Sequence, residues 1–81
     1  MAENDTIIVR ADWDTDAGVW VATSDDIHGL AIEAETVESL RDKVKNAIHD
    51  LIELNGTDSP HAAVPVHLMM EQVISVPNPR H

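Results

Sequence analysis

VESLRDKVKNAIHDLIEL, residues 37–54, is the one strong helical signal in the sequence. Its apolar positions are Val37, Leu40, Val44, Ala47, Ile48, Leu51, Ile52 and Leu54, the three-and-four spacing of one buried stripe. Glu38, Arg41, Asp42, Lys45, Asn46, His49, Asp50 and Glu53 fall between them and face water. Thr36 stands where a hydroxyl can cap the first turn, and Glu38 sits where the helix dipole favours negative charge. Asn55-Gly56 follows, and both residue types tolerate the left-handed conformation that ends helices. Eighteen residues give a helix of roughly 27 Å. One amphipathic helix cannot bury its stripe alone, so the flanking segments must form the second layer.

Upstream, Thr6 to Asp14 alternate as a half-buried strand, with Ile7, Val9, Ala11 and Trp13 on one side. Thr15-Asp16-Ala17-Gly18 is a turn, and Val19 to Ser24 a second strand closing a hairpin. Alternation counted from Val19 sends Val19, Val21 and Thr23 to the core and Trp20 and Ala22 to the other face. Ser24 to Gly29 break the pattern with turn formers. Leu30 to Glu35 form a third strand with Leu30, Ile32 and Ala34 inward. Past the helix, Thr57 to Pro65 is a loop, and a long alternating tract predicts a fourth strand over Val66–Val76, bent near Glu71-Gln72. Pro77 and Pro79 stop it; residues 1–5 and 77–81 are expected to be loose ends of a single domain spanning 1–81. The expected fold is α+β: a two-layer β-β-β-α-β sandwich, its mostly antiparallel sheet covered by one helix on one face. The opposite face is then uncovered, with Ile8, Trp20, Ala22, Met69 and Val73 on it, and an open apolar patch marks an interaction surface.

Composition narrows the function. The chain has 81 residues, no cysteine, an aromatic content of 2% (Trp13 and Trp20) and a formal net charge of -10. Disulfides and thiolate metal sites are excluded. The aliphatic core is lean, so self-association, as a homodimer, is the expected extra source of stability. The charge opposes binding to nucleic acid or to an anionic membrane and suits a basic protein partner. No apolar run reaches the ~20 residues of a membrane span, and the acidic N-terminus does not read as a signal peptide, so a cytoplasmic location is expected.

Three stretches in order carry a resemblance: the hairpin ending Val19-Trp20-Val21-Ala22, then Ser24-Asp25-Asp26-Ile27-His28-Gly29-Leu30, then the helix opening Glu35-Thr36-Val37-Glu38-Ser39-Leu40. Residues 6–56 resemble the HicB-like antitoxin family, and most of all a short branch of it commonly described as a domain of unknown function. The resemblance implies a partial ribonuclease-H-like fold, sheet order third-second-first-fourth, without the acidic metal cluster of the true enzymes. It implies a non-enzymatic protein that binds and masks a small basic toxin of HicA type, a messenger-RNA-cleaving ribonuclease. His28 stands where the family turn often has proline. Longer relatives carry a DNA-binding extension for which this sequence has no counterpart, so DNA binding is not carried over.

Asp25, Asp26 and His28 are the best candidates for a site: two carboxylates and an imidazole within four residues could ligate a metal. No second ligand cluster has recognisable spacing, and the turn reading, with Asp side chains capping backbone amides, is preferred. His61 and His67 lack metal spacing, His49 lies on the solvated helix face, and Asp12, Asp14 and Asp16 lack the later oxygens of a calcium loop. Ser24 has no partnered base. No cofactor or metal is therefore expected. The expected partner-binding residues are Ile8, Trp20, Ala22, Asp25, Asp26 and His28, with Trp20 as aromatic anchor and Trp13 in the core. The alternative is a stand-alone homo-oligomeric interaction module, whose last strand serves self-association.

Overall fold

The computed structural model describes residues 6–55 and 64–81. The elements are β1 (Ile7–Asp14), β2 (Val19–Thr23), β3 (Ala31–Ala34), α1 (Val37–Asn55) and β4 (Val66–Glu71). They form a four-stranded sheet in the order β3-β2-β1-β4. β1 pairs antiparallel with β2, β2 antiparallel with β3, and β4 parallel with β1. The α+β architecture, the β-β-β-α-β order and the sheet order follow the sequence reading. Residues 1–5 and most of the 57–65 loop, His61 included, lie outside the described residues.

The helix begins as its sequence dictates. Thr36 Oγ1 accepts the Ser39 amide proton at 3.1 Å, and the Thr36 carbonyl accepts the first helical bond from Leu40 at 3.0 Å. Leu40, Val44 and Ile48 are buried, with Ala47, Leu51 and Ile52 half-buried beside them. Two ends of the expected stripe do not reach the sheet: Val37 is 37% and Leu54 81% exposed. The helix contacts β3 and β2, so the β4 side of the same face is only half covered, with Val66, Leu68 and Met70 half-buried while Val9 and Ala11 of β1 are enclosed. Lys43 Nζ donates to the Glu33 carbonyl at 2.8 Å and ties the helix to β3.

The second strand corrects one expectation. Side chains directly opposite in a ladder point to the same side. The register pairs Ala11 with Ala22 and Trp13 with Trp20. Val9 and Ala11 are buried under the helix, so Ala22 and Trp20 lie on the helix side, not on the open face. Ala22 is fully buried, and Trp20 packs half-buried against the core. The cause is the turn. Four residues, Thr15 to Gly18, separate the paired Asp14 and Val19. That loop length couples odd-numbered residues of β1 to even-numbered residues of β2. Asp14 closes the turn: its Oδ1 accepts the Asp16 and Ala17 amide protons, its carbonyl accepts that of Gly18, and Gly18 takes φ +70°.

The fourth strand is shorter than expected. Its ladder ends at Glu71, paired with Asp12, and the chain beyond leaves the sheet. Val73 is 90%, Ile74 71% and Val76 77% exposed. The radius of gyration is 15.8 Å, whereas a compact chain of this length has about 12 Å. The last residues, expected to be a loose tail, hold a turn in which Asn78 Oδ1 accepts the Arg80 amide proton at 2.9 Å.

Candidate functional site

The face away from the helix is set by the same registers. One row crosses the four strands as Glu71, Asp12, Val21 and Glu33; the next runs Met69, Arg10, Thr23 and Ala31. Ile8 and His67 stand side by side beyond them. Met69 is 47% and Ile8 39% exposed, and Val21 is half-buried. The open face therefore exists as expected, with Ile8 and Met69 on it, but Val21 replaces Trp20 and Ala22 at its centre. Val73 lies on the projecting chain beyond the sheet.

Asp12 and Glu71 are directly opposed neighbours on β1 and β4. Like charges in that relation destabilise a sheet. Glu33 extends the same acidic row across Val21, and Arg10 is the one cation in these two rows. The result is a carboxylate band beside exposed aliphatic and thioether surface.

At one edge of this face the 24–29 turn completes the hairpin with side chains. After Thr23↔Arg10, the next rung would fall on Ile8, but β2 has ended. The Asp26 carboxylate accepts the Ile8 amide proton at 2.8 Å, and the Ser24 hydroxyl donates to the Ile8 carbonyl at 2.6 Å. Ser24 Oγ in turn accepts the Asp26 amide proton at 3.1 Å. Gly29, at φ +85°, turns the chain into β3. The capping reading of this turn is thus realised, through a partner 18 residues away in sequence. Asp26→Ala should cost about 1 kcal/mol of stability in urea unfolding, the Ile8 amide being open enough for water to replace the carboxylate. Asp26→Asn, which keeps an acceptor oxygen, should cost less.

Ile8, Asp25 and Asp26 line a shallow cleft of about 160 Å3 with Arg10 and Thr23. Asp26 also borders, with His28, an apolar groove of about 340 Å3 between this turn and the helix, walled by Ile7, Ile27, Ile48 and Ile52. Of the six expected site residues, the structure brings Ile8, Asp25 and Asp26 together, sets exposed His28 nearby, and sends Trp20 and Ala22 to the opposite face. Trp20 meets Trp13 edge-on, centroids 5.3 Å apart at 65°.

The sequence reading missed the acidic row itself. The signal was present in the alternation, since Asp12, Glu33 and Glu71 all lie opposite core-facing neighbours, but it needed the register. One further grouping among the described residues, His49, Asp50 and Glu53, has ligand atoms within 4.8 Å of one another. All three are exposed on one helix surface, with His49 Nδ1 3.7 Å from Asp50 and 3.8 Å from Glu53. Among the described residues no helix is long and apolar enough to cross a membrane.

Comparison with known proteins adds a family and a structural relative. No curated protein matches the chain. The crystal structure of a hypothetical protein from the extremely thermophilic bacterium Thermus thermophilus is similar, with 42% sequence identity and a TM-score of 0.62, over 90% of this chain and 99% of that one. The family described as a domain of unknown function (DUF1902) matches residues 6–76. With nearly the whole fold inside that match, from the first residue before β1 to the end of the projecting segment, the chain belongs to the DUF1902 family.

Proposed function

We propose that this protein is a non-catalytic binding module of HicB-like antitoxin type, which masks a small basic protein of HicA ribonuclease type by docking it across the open sheet face. The observation that carries the reading is the directly opposed pair Asp12 and Glu71, continued by Glu33 across Val21. Carboxylates in directly opposed positions on neighbouring strands are mildly unfavourable in an isolated domain, here with Arg10 in the adjacent row. A cationic partner removes their repulsion and converts it into attraction. Met69, Ile8 and Val21 supply apolar contact beside the band, and a net charge of -10 draws a basic partner from a distance. The sequence resemblance to HicB-like antitoxins supplies the partner class.

The test is a trade-off between stability and binding. Asp12→Asn and Glu71→Gln should each raise the unfolding free energy of the free protein by a few tenths of a kcal/mol, as expected for relief of one cross-strand repulsion. The same variants should weaken binding to the cognate basic protein, and wild-type affinity should fall as salt is added. Calorimetric titration against the small basic proteins encoded beside this gene, with rescue of growth arrest as the cellular readout, measures both. Absence of binding to every such candidate would sink the proposal.

A further inference from the structure

The most conspicuous unpartnered feature is the segment Gln72-Val-Ile-Ser-Val76. It follows β4 directly, carries three aliphatic side chains that are 71–90% exposed, and contains no charged residue in a chain of net charge -10. Beside it, β4 is an edge strand of the sheet. Its outer backbone groups are unpaired with any described strand, an arrangement natural proteins normally protect. Its helix-side residues Val66, Leu68 and Met70 are only half covered, because the helix leans towards β3.

We infer that residues 72–76 of one copy add as an antiparallel strand to the β4 edge of a second copy, reciprocally about a two-fold axis. One strand tract supplies both halves of the contact, so a single symmetric operation pairs both naked edges and buries both arms. Parity fits. Opposed residues share a face, and an antiparallel pairing centred near Glu71 sets Ile74 and Val76 beside the partner's Leu68 and Val66 on the helix side. Val73 then meets the partner's Met69 on the open side. Length fits too: five arm residues against six in β4. Pro77 and Pro79 favour extended backbone at Val76 and Asn78, which lowers the entropy lost when the arm docks. The occupant is a second copy rather than a basic protein because residues 72–76 offer no carboxylate to a cation; the one like-charge contact in this pairing is Glu71 beside the partner's Glu71 at the two-fold axis, where added salt weakens the repulsion. The union forms one eight-stranded sheet and joins the two acidic open faces side by side.

The full chain, without a partner, should have a dimer mass in sedimentation equilibrium across the micromolar range, and the dimer should tighten with added salt as the net charge is screened. Ile74→Asp combined with Val76→Asp should reduce the mass to that of a monomer while leaving the far-ultraviolet circular dichroism unchanged. Leu54→Asp, equally exposed but outside the arm, should leave the dimer intact. Since the chain has no cysteine, Leu68→Cys chains mixed with Ile74→Cys chains should form a mixed cross-link with a short bis-maleimide, independently of any arm variant that fails to fold. A monomeric wild type, a dimer that survives the double Asp substitution, or absence of the mixed cross-link would each overturn the inference. None of these readouts involves the basic partner, so they stand or fall apart from the proposed function.

Discussion

Leu40→Ala is expected to leave most of the chain unfolded at 25 °C. Leu40 is fully buried, and with Val9 it is one of the two largest side chains so enclosed among the described residues. Its position follows from the cap: Thr36 fixes the first turn, and Leu40 is the first stripe residue to meet the sheet. The floor beneath the helix is built from small residues, with Ala11, Ala22 and Ala34 all buried. Alanines on the floor bury little surface themselves, so most of the apolar burial at this end must come from the helix side. A Leu→Ala change in such a place costs about 2–5 kcal/mol, through lost transfer energy and the cavity left behind. A domain of this size holds roughly 3–5 kcal/mol in total. The two quantities are comparable, which is why one truncation should remove the cooperative urea transition. Leu54→Ala removes the same atoms from an 81% exposed site and should change stability by less than about 0.5 kcal/mol. A Leu40→Ala protein with a near-wild-type urea midpoint would show that the core lies elsewhere.

The contrast between Leu40 and Leu54 also marks what a sequence can and cannot disclose. The helix was legible from Val37 to Leu54, one residue short of its end at Asn55, because periodicity, cap and terminator agree within one contiguous stretch. Periodicity does not say how far the opposing sheet extends, so Leu54 reads as buried although no strand lies beneath it. The same limit governs the strands. Alternation identifies two faces of β2 but not which of them is covered; the hairpin loop settles that through its length. Valine is larger and more apolar than alanine, which favours Val21 over Ala22 as the core residue until the register is known. The Asp26–Ile8 hydrogen bond joins residues 18 apart, with no local pattern to announce it. In β4 the alternation continues to Val76 whether the partner edge belongs to the same chain or to another, so the tract was read as one strand. The family resemblance gave the sheet order, a global property that local patterns do not contain.

Trp20→Phe separates the two roles a sequence allows this residue. As the aromatic anchor of an interface, Trp20 would be a hot spot, and its replacement would weaken partner binding by about 2 kcal/mol or more with little effect on folding. The structure assigns it to the other side of the sheet: it lies opposite Trp13 and Ala34, under the helix-side layer, with its ring edge-on to Trp13. The expected result is therefore reversed. Trp20→Phe should lose about 1 kcal/mol of stability, from a smaller ring and a weakened aromatic pair, and Trp20→Ala about 3 kcal/mol, near the low end for buried tryptophan because the side chain is half exposed. Affinity of the folded Phe variant for the proposed basic partner should stay within about twofold of wild type. Met69→Asp, on the open face and 47% exposed, should instead weaken partner binding, by removing an apolar contact beside the carboxylate row. Urea unfolding and calorimetric titration of both variants decide the matter. A Trp20→Phe protein that folds normally and no longer binds would move the interface to the helix side of the sheet, where the half-covered surface around Trp13, Leu68 and Met70 would have to carry it.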